Sequence, residues 1–209
     1  PDRNVGTPTR AGLPSQAVLE TWTDPCPWDG SPPFVLAEVT SLPEARAAIA
    51  LGAQGIMAKG SESGGAIGEE TAFVLLQALV DSIEVPIWLK GGIGLHTAAA
   101  ALGGGATGVV LDSQVALTTE SRIPAELRAA LEAMDGSETV TVGSHRFYSR
   151  PDLPASSLPA DATPSQVAGQ LGGTDLRTER GPIGYDGFLA RSLAQRFWTV
   201  GGVVQAIQQ

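Results

Sequence analysis

The chain has 209 residues, 43% hydrophobic and 17% charged, with a net charge of -9; that length can bury a core of ordinary size, and the negative balance argues against nucleic acid as a main partner. Cys26 is the only cysteine, which excludes an internal disulfide, and with two well-separated histidines no zinc-ligand spacing can be assembled. There is no apolar run of bilayer-spanning length and no signal peptide, so no membrane partner and a cytoplasmic location are expected, while the start on Pro1 reads as a segment of a longer protein.

Residues 1–33, rich in Pro, Thr, Asp and Gly, read as an irregular lead-in docked through Trp22, Cys26 and Trp28. "PFVLAEVT" (33–40) predicts a β-branched strand, and "SLPEARAAIALG" (41–52) a helix with Ser41 as N-cap, Pro43 in the first turn and Gly52 as the stop. "GIMA" (55–58) predicts a short buried strand running into a glycine loop, and "EETAFVLLQALVDS" (69–82) a helix with Glu69 and Glu70 at its positive end. "VPIWLK" (85–90) with "HTAAAALGGG" (96–105) makes a third step. "TGVVLD" (107–112) is a fourth strand, and "IPAELRAALEAM" (123–134) its helix.

Four strand-helix steps at roughly twenty-residue intervals predict an α/β class with parallel strands and helical crossovers. The strands are apolar runs, as expected where helices cover one face and side chains fill a barrel interior on the other. Residues 34–138 form this region. "TVTVGSHRFYS" predicts a β-hairpin over 139–150 turning at Gly143-Ser144, a Pro/Ser/Gly-rich linker is expected over 151–184, and 185–209 ends the chain as a helical segment broken near Gly201-Gly202.

Lys59 and Lys90 are the only lysines. Each closes an apolar strand and each is followed by glycine, at the strand ends where parallel α/β folds bind ligands. "GGIG" (91–94) before a helix, with Asp112 and Ser113 one step later, resembles a phosphate cradle built by backbone N–H groups and a helix start. Such a cradle requires the ends of strands 55–58, 85–90 and 107–112 to lie side by side. A dinucleotide fingerprint fits only in part, because Thr97 stands at the third glycine position.

The sweep "VLAEVTSLPEARAAIALGAQGIMAKGSESGGAIGEE" through "VPIWLKGGIGLHTAAAALGGGATGVVLDSQVALTTES" resembles the FMN-dependent nitronate monooxygenase and enoyl reductase superfamily. With "GEETAFVLLQ", "MDGSETV" and "YSRP" it is similar, more narrowly, to the nitronate monooxygenase-like domain of type I polyketide and polyunsaturated fatty acid synthases. The resemblance implies a TIM-type (β/α)8 barrel with FMN at its mouth. By that likeness Lys59 lies near the flavin, Gly64 follows five residues later, and the phosphate loops are Gly91-Gly92 and Val110, Leu111, Asp112 and Ser113, with Lys90 beside them to balance the dianion.

The same resemblance implies enoyl reduction of acyl chains on an acyl carrier protein, with the other domains of a multidomain synthase as partners. Two departures stand out. The family's "EAGGH" reads "ESGGA" here, so Ala66 replaces a catalytic histidine, and the usual Gly-Thr of the phosphate loop is Asp112-Ser113. Glu62 and His96 are then the candidate proton donors or bases. A complete barrel needs roughly 250 residues, and the steps here match only its C-terminal half, which leaves a partner segment or association of two copies to complete it. The other readings are a barrel-derived structural or docking module without chemistry, and a lysine enzyme forming a Schiff base through Lys59 or Lys90.

Overall fold

The computed structural model describes residues 34–149 and 180–209. The lead-in with Trp22, Cys26 and Trp28, and most of the expected linker, fall outside those residues. Four strands, β1 (Leu36–Val39), β2 (Gly55–Lys59), β4 (Ile87–Lys90) and β5 (Gly108–Val110), form a parallel sheet in the order β1-β2-β4-β5. The helices α1 (Leu42–Ala50), α2 (Ala72–Val80) and α3 (Leu95–Gly103) are the crossovers, so the α/β class and parallel steps are as the sequence predicts.

Alternation along the strands assigns the two sheet faces. Val39, Ile56, Ala58, Ile87 and Leu89 point towards the helices, where they meet Leu75, Leu76 and Leu79 of α2 and the alanines Ala45, Ala48, Ala98 and Ala101 of α1 and α3. Those small residues let both helices lie close to the sheet. Ser41 caps α1 by accepting from Glu44 N at 3.4 Å, and Glu44 answers by accepting from Thr40 N at 2.7 Å, which satisfies donors at the helix start. The opposite face carries Glu38, Met57, Lys59, Trp88, Lys90 and Val110, brought together by the register Glu38↔Met57, Met57↔Trp88 and Lys59↔Lys90. Trp88 lies across two glycines here: a Cβ at Gly55 would sit 2.7 Å from the indole, and one at Gly108 2.8 Å from it.

A second layer is antiparallel. The expected hairpin is present as β6 (Thr139–Val142) and β7 (His145–Ser149), with Gly143 at φ 56 in the turn. The sequence reading missed β3 (Gly65–Ala66), which pairs with β7 on the side away from β6, and β8 (Arg180–Gly181), which pairs further along that same edge at Tyr148 and Ser149. Both are two-residue strands inside glycine-rich stretches, too short for any periodicity to register. Under this layer α4 (Ala125–Ala133) and α5 (Leu189–Phe197) enclose a second core of Leu117, Leu127, Leu131, Met134, Tyr148, Ile183 and Ala190.

The terminal helix breaks earlier than expected. Helix α5 stops at Trp198, whose φ of 64 is left-handed, and Thr199 then caps α6 (Val200–Ile207) by accepting from Gly202 N at 2.9 Å. Gly201 and Gly202 thus lie inside the first turn of α6. Gly202 is needed because a Cβ there would run into the carbonyl of Phe197.

One of the contacts between the two layers is a backbone-to-backbone approach. Residues 182–184 cross directly over the glycine loop after β2: a Cβ on Gly64 would collide with the carbonyl of Pro182 and lie 2.7 Å from Gly184 N, and Tyr185 N donates to Glu62 O at 2.8 Å. Gly64→Ala is therefore expected to destabilise the fold by ~1–3 kcal/mol, the usual cost of overpacking. Urea denaturation measures the loss, and faster amide exchange at 182–186 locates it.

Candidate functional site

Strands β2, β4 and β5 are neighbours, so their carboxyl ends do lie side by side, and Gly60 N donates to Lys90 O at 2.9 Å to hold the first two loops together. Because Lys59 and Lys90 are partners across β2 and β4, two ammonium groups project from adjacent positions on one face. Glu38 on β1 separates their charges, one carboxylate oxygen 3.1 Å from Lys59 Nζ and the other 3.1 Å from Lys90 Nζ. Asp112 takes a second contact with Lys90 at 3.1 Å. Burial disfavours ionised Glu38, but Lys59 and Lys90 outweigh it and hold the carboxyl below its ordinary range. Burial likewise works against Lys90, yet Glu38 and Asp112 raise it above the usual lysine value. Lys90 is thus a fixed cation, which is the wrong form for a Schiff-base nucleophile.

Beyond the lysines the loops turn polar and tight. Gly91 and Gly92 have φ of 114 and 65, a pair of left-handed conformations that glycine adopts without strain. Glu62 folds back to cap α2, accepting from Ala72 N at 3.0 Å, so its carboxylate serves the helix start next to Gly92. Ser63 beside Gly91 is buried, and its Oγ has no hydrogen-bond partner among the described residues.

Asp186 reaches the centre of this arrangement from the C-terminal segment. It sits in the 3₁₀ turn Tyr185–Phe188 and is only 3% exposed. Its carboxylate accepts from Gly92 N at 3.0 Å, Ser113 Oγ at 3.2 Å and Gln114 Nε2 at 2.8 Å. Gln114 is itself positioned by Asp112 N, which donates to its Oε1 at 2.8 Å. Burial pushes the Asp186 carboxyl up to about 6; the bonds from Gly92 and Ser113 oppose that rise, while the nearby charges of Asp112 and Glu62 add to it.

Three donors from the ends of β4 and β5 therefore converge on one anionic group. That donor set, neutral N–H and O–H with glycine access, has the chemistry to hold an anion, and Asp186 is the anion it holds. A phosphate could not share the position with an ionised Asp186, since like charges 4 Å apart at an effective dielectric constant of 20 repel by about 4 kcal/mol.

The other expected residues are placed as follows. Gly64 gives its open side to Pro182 and Gly184. Val110 ends β5 on the face opposite the helices, and Leu111 packs against the first core. His96 is exposed in the first turn of α3. Ala66 on β3 lies directly across from His145 on β7, so an imidazole flanks the position where the expected histidine is missing. The sequence reading did not single out Glu38, Ser63, Gln114 or Asp186. Among these only Glu38 had a legible signal, a lone acid at an inward position of an apolar strand. A groove between α4 and α5, lined by Leu117, Ala133, Ala194 and Trp198, shares no residue with the cradle.

A family profile for nitronate monooxygenase matches residues 29–147, more than half of the chain, and the chain belongs to that family. Among individual proteins it is similar to the (3aS,4S,5R,7aS)-5-hydroxy-7a-methyl-1-oxo-octahydro-1H-indene-4-carboxyl-CoA dehydrogenase of Rhodococcus jostii (strain RHA1), at 32% identity over 94 residues, covering 43% of this chain and 26% of that protein. Its fold resembles a mutant of FabK from Thermotoga maritima, with a TM-score of 0.71 at 24% identity over 95% of this chain and 63% of that one. It also resembles a nitroalkane oxidase from Streptomyces ansochromogenes, with a TM-score of 0.52 at 27% identity over 61% of this chain and 39% of the other. The chain thus spans about a quarter of the curated relative and under two thirds of either solved structure. No helix among the described residues is long and apolar enough to cross a membrane.

A carboxyl whose folded-state pKa is raised contributes stability that is fully present below its unfolded value and is lost as pH rises through the folded value. For Asp186 that window runs from the ordinary 3.8 to about 6, and the full effect is on the order of 3 kcal/mol. Asp186→Asn removes the ionisation. The stability of the variant relative to the parent chain should therefore climb between pH 4 and pH 7 in urea titrations, and a constant difference across that range would contradict the assignment.

Proposed function

We propose that the chain supplies the phosphate-binding half of an FMN-dependent oxidoreductase barrel, with reduction of enoyl thioesters on an acyl carrier protein as its reaction. The observation that carries this reading is the convergence of Gly92 N, Ser113 Oγ and Gln114 Nε2 on a single anion. Family membership supports the flavin, and the likeness to a protein named as a carboxyl-CoA dehydrogenase supports a thioester substrate. When bound, FMN supplies hydride transfer.

This chain's own residues would bind and orient. Gly92, Ser113 and Gln114 hold the phosphate, with Ser63 as a further hydroxyl at Gly91. Lys59 and Lys90, fixed by Glu38, keep the inner sheet face charged and ordered at the strand ends. Other domains of a multidomain synthase, or a second copy, complete the barrel in this reading, and the cytoplasm is its setting. FMN added to the chain should bind with quenching of flavin fluorescence, and the dithionite-reduced complex, kept anaerobic, should be reoxidised by a crotonyl thioester. Absence of flavin binding would favour the second reading, a docking module without chemistry, for which the occupation of the cradle by Asp186 is the supporting observation.

Nitronate oxidation is the weaker assignment. It needs a base at the substrate carbon, and Ala66 offers a methyl group. Oxygen uptake with propyl nitronate should stay near background after flavin loading, and Ala66→His should raise it, since a positioned base contributes a factor of about 10² to 10⁴. Robust turnover by the parent chain would instead point to His145, opposite Ala66, or to Glu62 or His96.

A further inference from the structure

Asp186 is not required by the cradle's own architecture. Gly92 lies 94 residues away in sequence, and the donors that meet the carboxylate belong to the strand-end loops, whereas Asp186 arrives on a short turn of a different layer. Three of the donors that a phosphate would use are satisfied by this one carboxylate, Gly92 N, Ser113 Oγ and Gln114 Nε2, while Ser63 Oγ has no partner among the described residues. The surrounding charges do not compensate for a second anion. Lys90 is committed to Glu38 and Asp112, Lys59 to Glu38, and Glu62 stands beside Gly92.

The turn itself is lightly built on its outer side. Tyr185 and Phe188 pair edge to face at 5.8 Å on the surface, both well exposed, while the anchors, Ile183 and Ala190, flank the turn rather than lie within it. Gly187 is held against Met134, and Tyr185 N by Glu62 O. Withdrawal of the carboxylate requires Tyr185 N to part from Glu62 O and the buried Gly187 to leave Ile183 and Met134.

We infer that Asp186 is an intramolecular competitor for the phosphate cradle: its carboxylate must withdraw from Gly92, Ser113 and Gln114 before a phosphomonoester takes them, so binding of FMN displaces the 185–188 turn. This rests on the flavin reading above and adds a regulated entry step to it. A neutral residue at 186 then favours ligand over closure, and the effect is confined to ligands that carry the phosphate.

The test titrates FMN, riboflavin and inorganic phosphate against the parent chain, Asp186→Ala and Asp186→Asn, following flavin fluorescence and, for phosphate, the shift in melting temperature. Both variants should bind FMN at least tenfold more tightly than the parent, with riboflavin affinity unchanged, and FMN should speed amide exchange at 184–188 in the parent chain. Unchanged or weaker FMN binding by variants with parental circular dichroism overturns the inference, as does equal tightening for riboflavin. If a variant fails to fold, the exchange experiment decides alone, and protection of 184–188 that holds or grows on FMN binding overturns it. Should no form bind FMN while the variants bind inorganic phosphate more tightly than the parent, the flavin reading fails and the competition stands. Binding of neither ligand by any form overturns both.

Discussion

One buried carboxylate ties this molecule together. The parallel sheet with its helices and the antiparallel layer with α4 and α5 have separate apolar cores, and beside the bonds of Arg146 Nε to Ser61 O and of Tyr185 N to Glu62 O, Asp186 crosses between them by accepting from Gly92, Ser113 and Gln114. Charge-assisted bonds of this kind contribute more than neutral ones. They are offset by the cost of burying the charge, which pushes the carboxyl up to about 6. The joint thus combines three hydrogen bonds with a position that burial makes costly for a negative charge.

The cations at the strand ends are organised by the same economy of charge. Lys59 and Lys90 face one another across β2 and β4, a placement that would be repulsive without Glu38 between them. Because β1 supplies that acid, the outer strand fixes the electrostatics of the two inner ones. A slip of one residue along β1 would turn Glu38 towards the helices and take away the carboxylate that the two ammonium groups share.

The class, the four parallel strands with their three helical crossovers and the hairpin were legible because they rest on patterns within ten or twelve residues: apolar runs, a Ser-x-Pro-Glu start at α1, and glycines at turns; the helix expected to complete the fourth step, α4, packs in the second core instead. The two lysines were legible as a site for the same reason, since a cation closing an apolar strand is locally anomalous. Asp186 was not. It lies in "GYDGF", a stretch with turn composition and no periodicity, and its meaning is set wholly by partners far away in the sequence. Gly201-Gly202 misled in the opposite way. Glycine pairs announce a break when conformation is the reason for them, but Gly202 is small because Phe197 is near, and the left-handed residue that ends α5 is Trp198. Gly64 likewise reads as a ligand loop in sequence and is, in the fold, a crossing point for residues 182–184.

The inner face of the sheet carries one further lesson. Trp88 lies over Gly55 and Gly108 on the two flanking strands, with Phe34 edge-on at 5.9 Å. The indole takes up room that side chains at 55 and 108 would otherwise fill, so the three positions share a single volume. Divergence at any one of them is constrained by the other two: a smaller residue at 88 opens a hollow that only growth at 55 or 108 can close, and growth there must wait until the indole is gone.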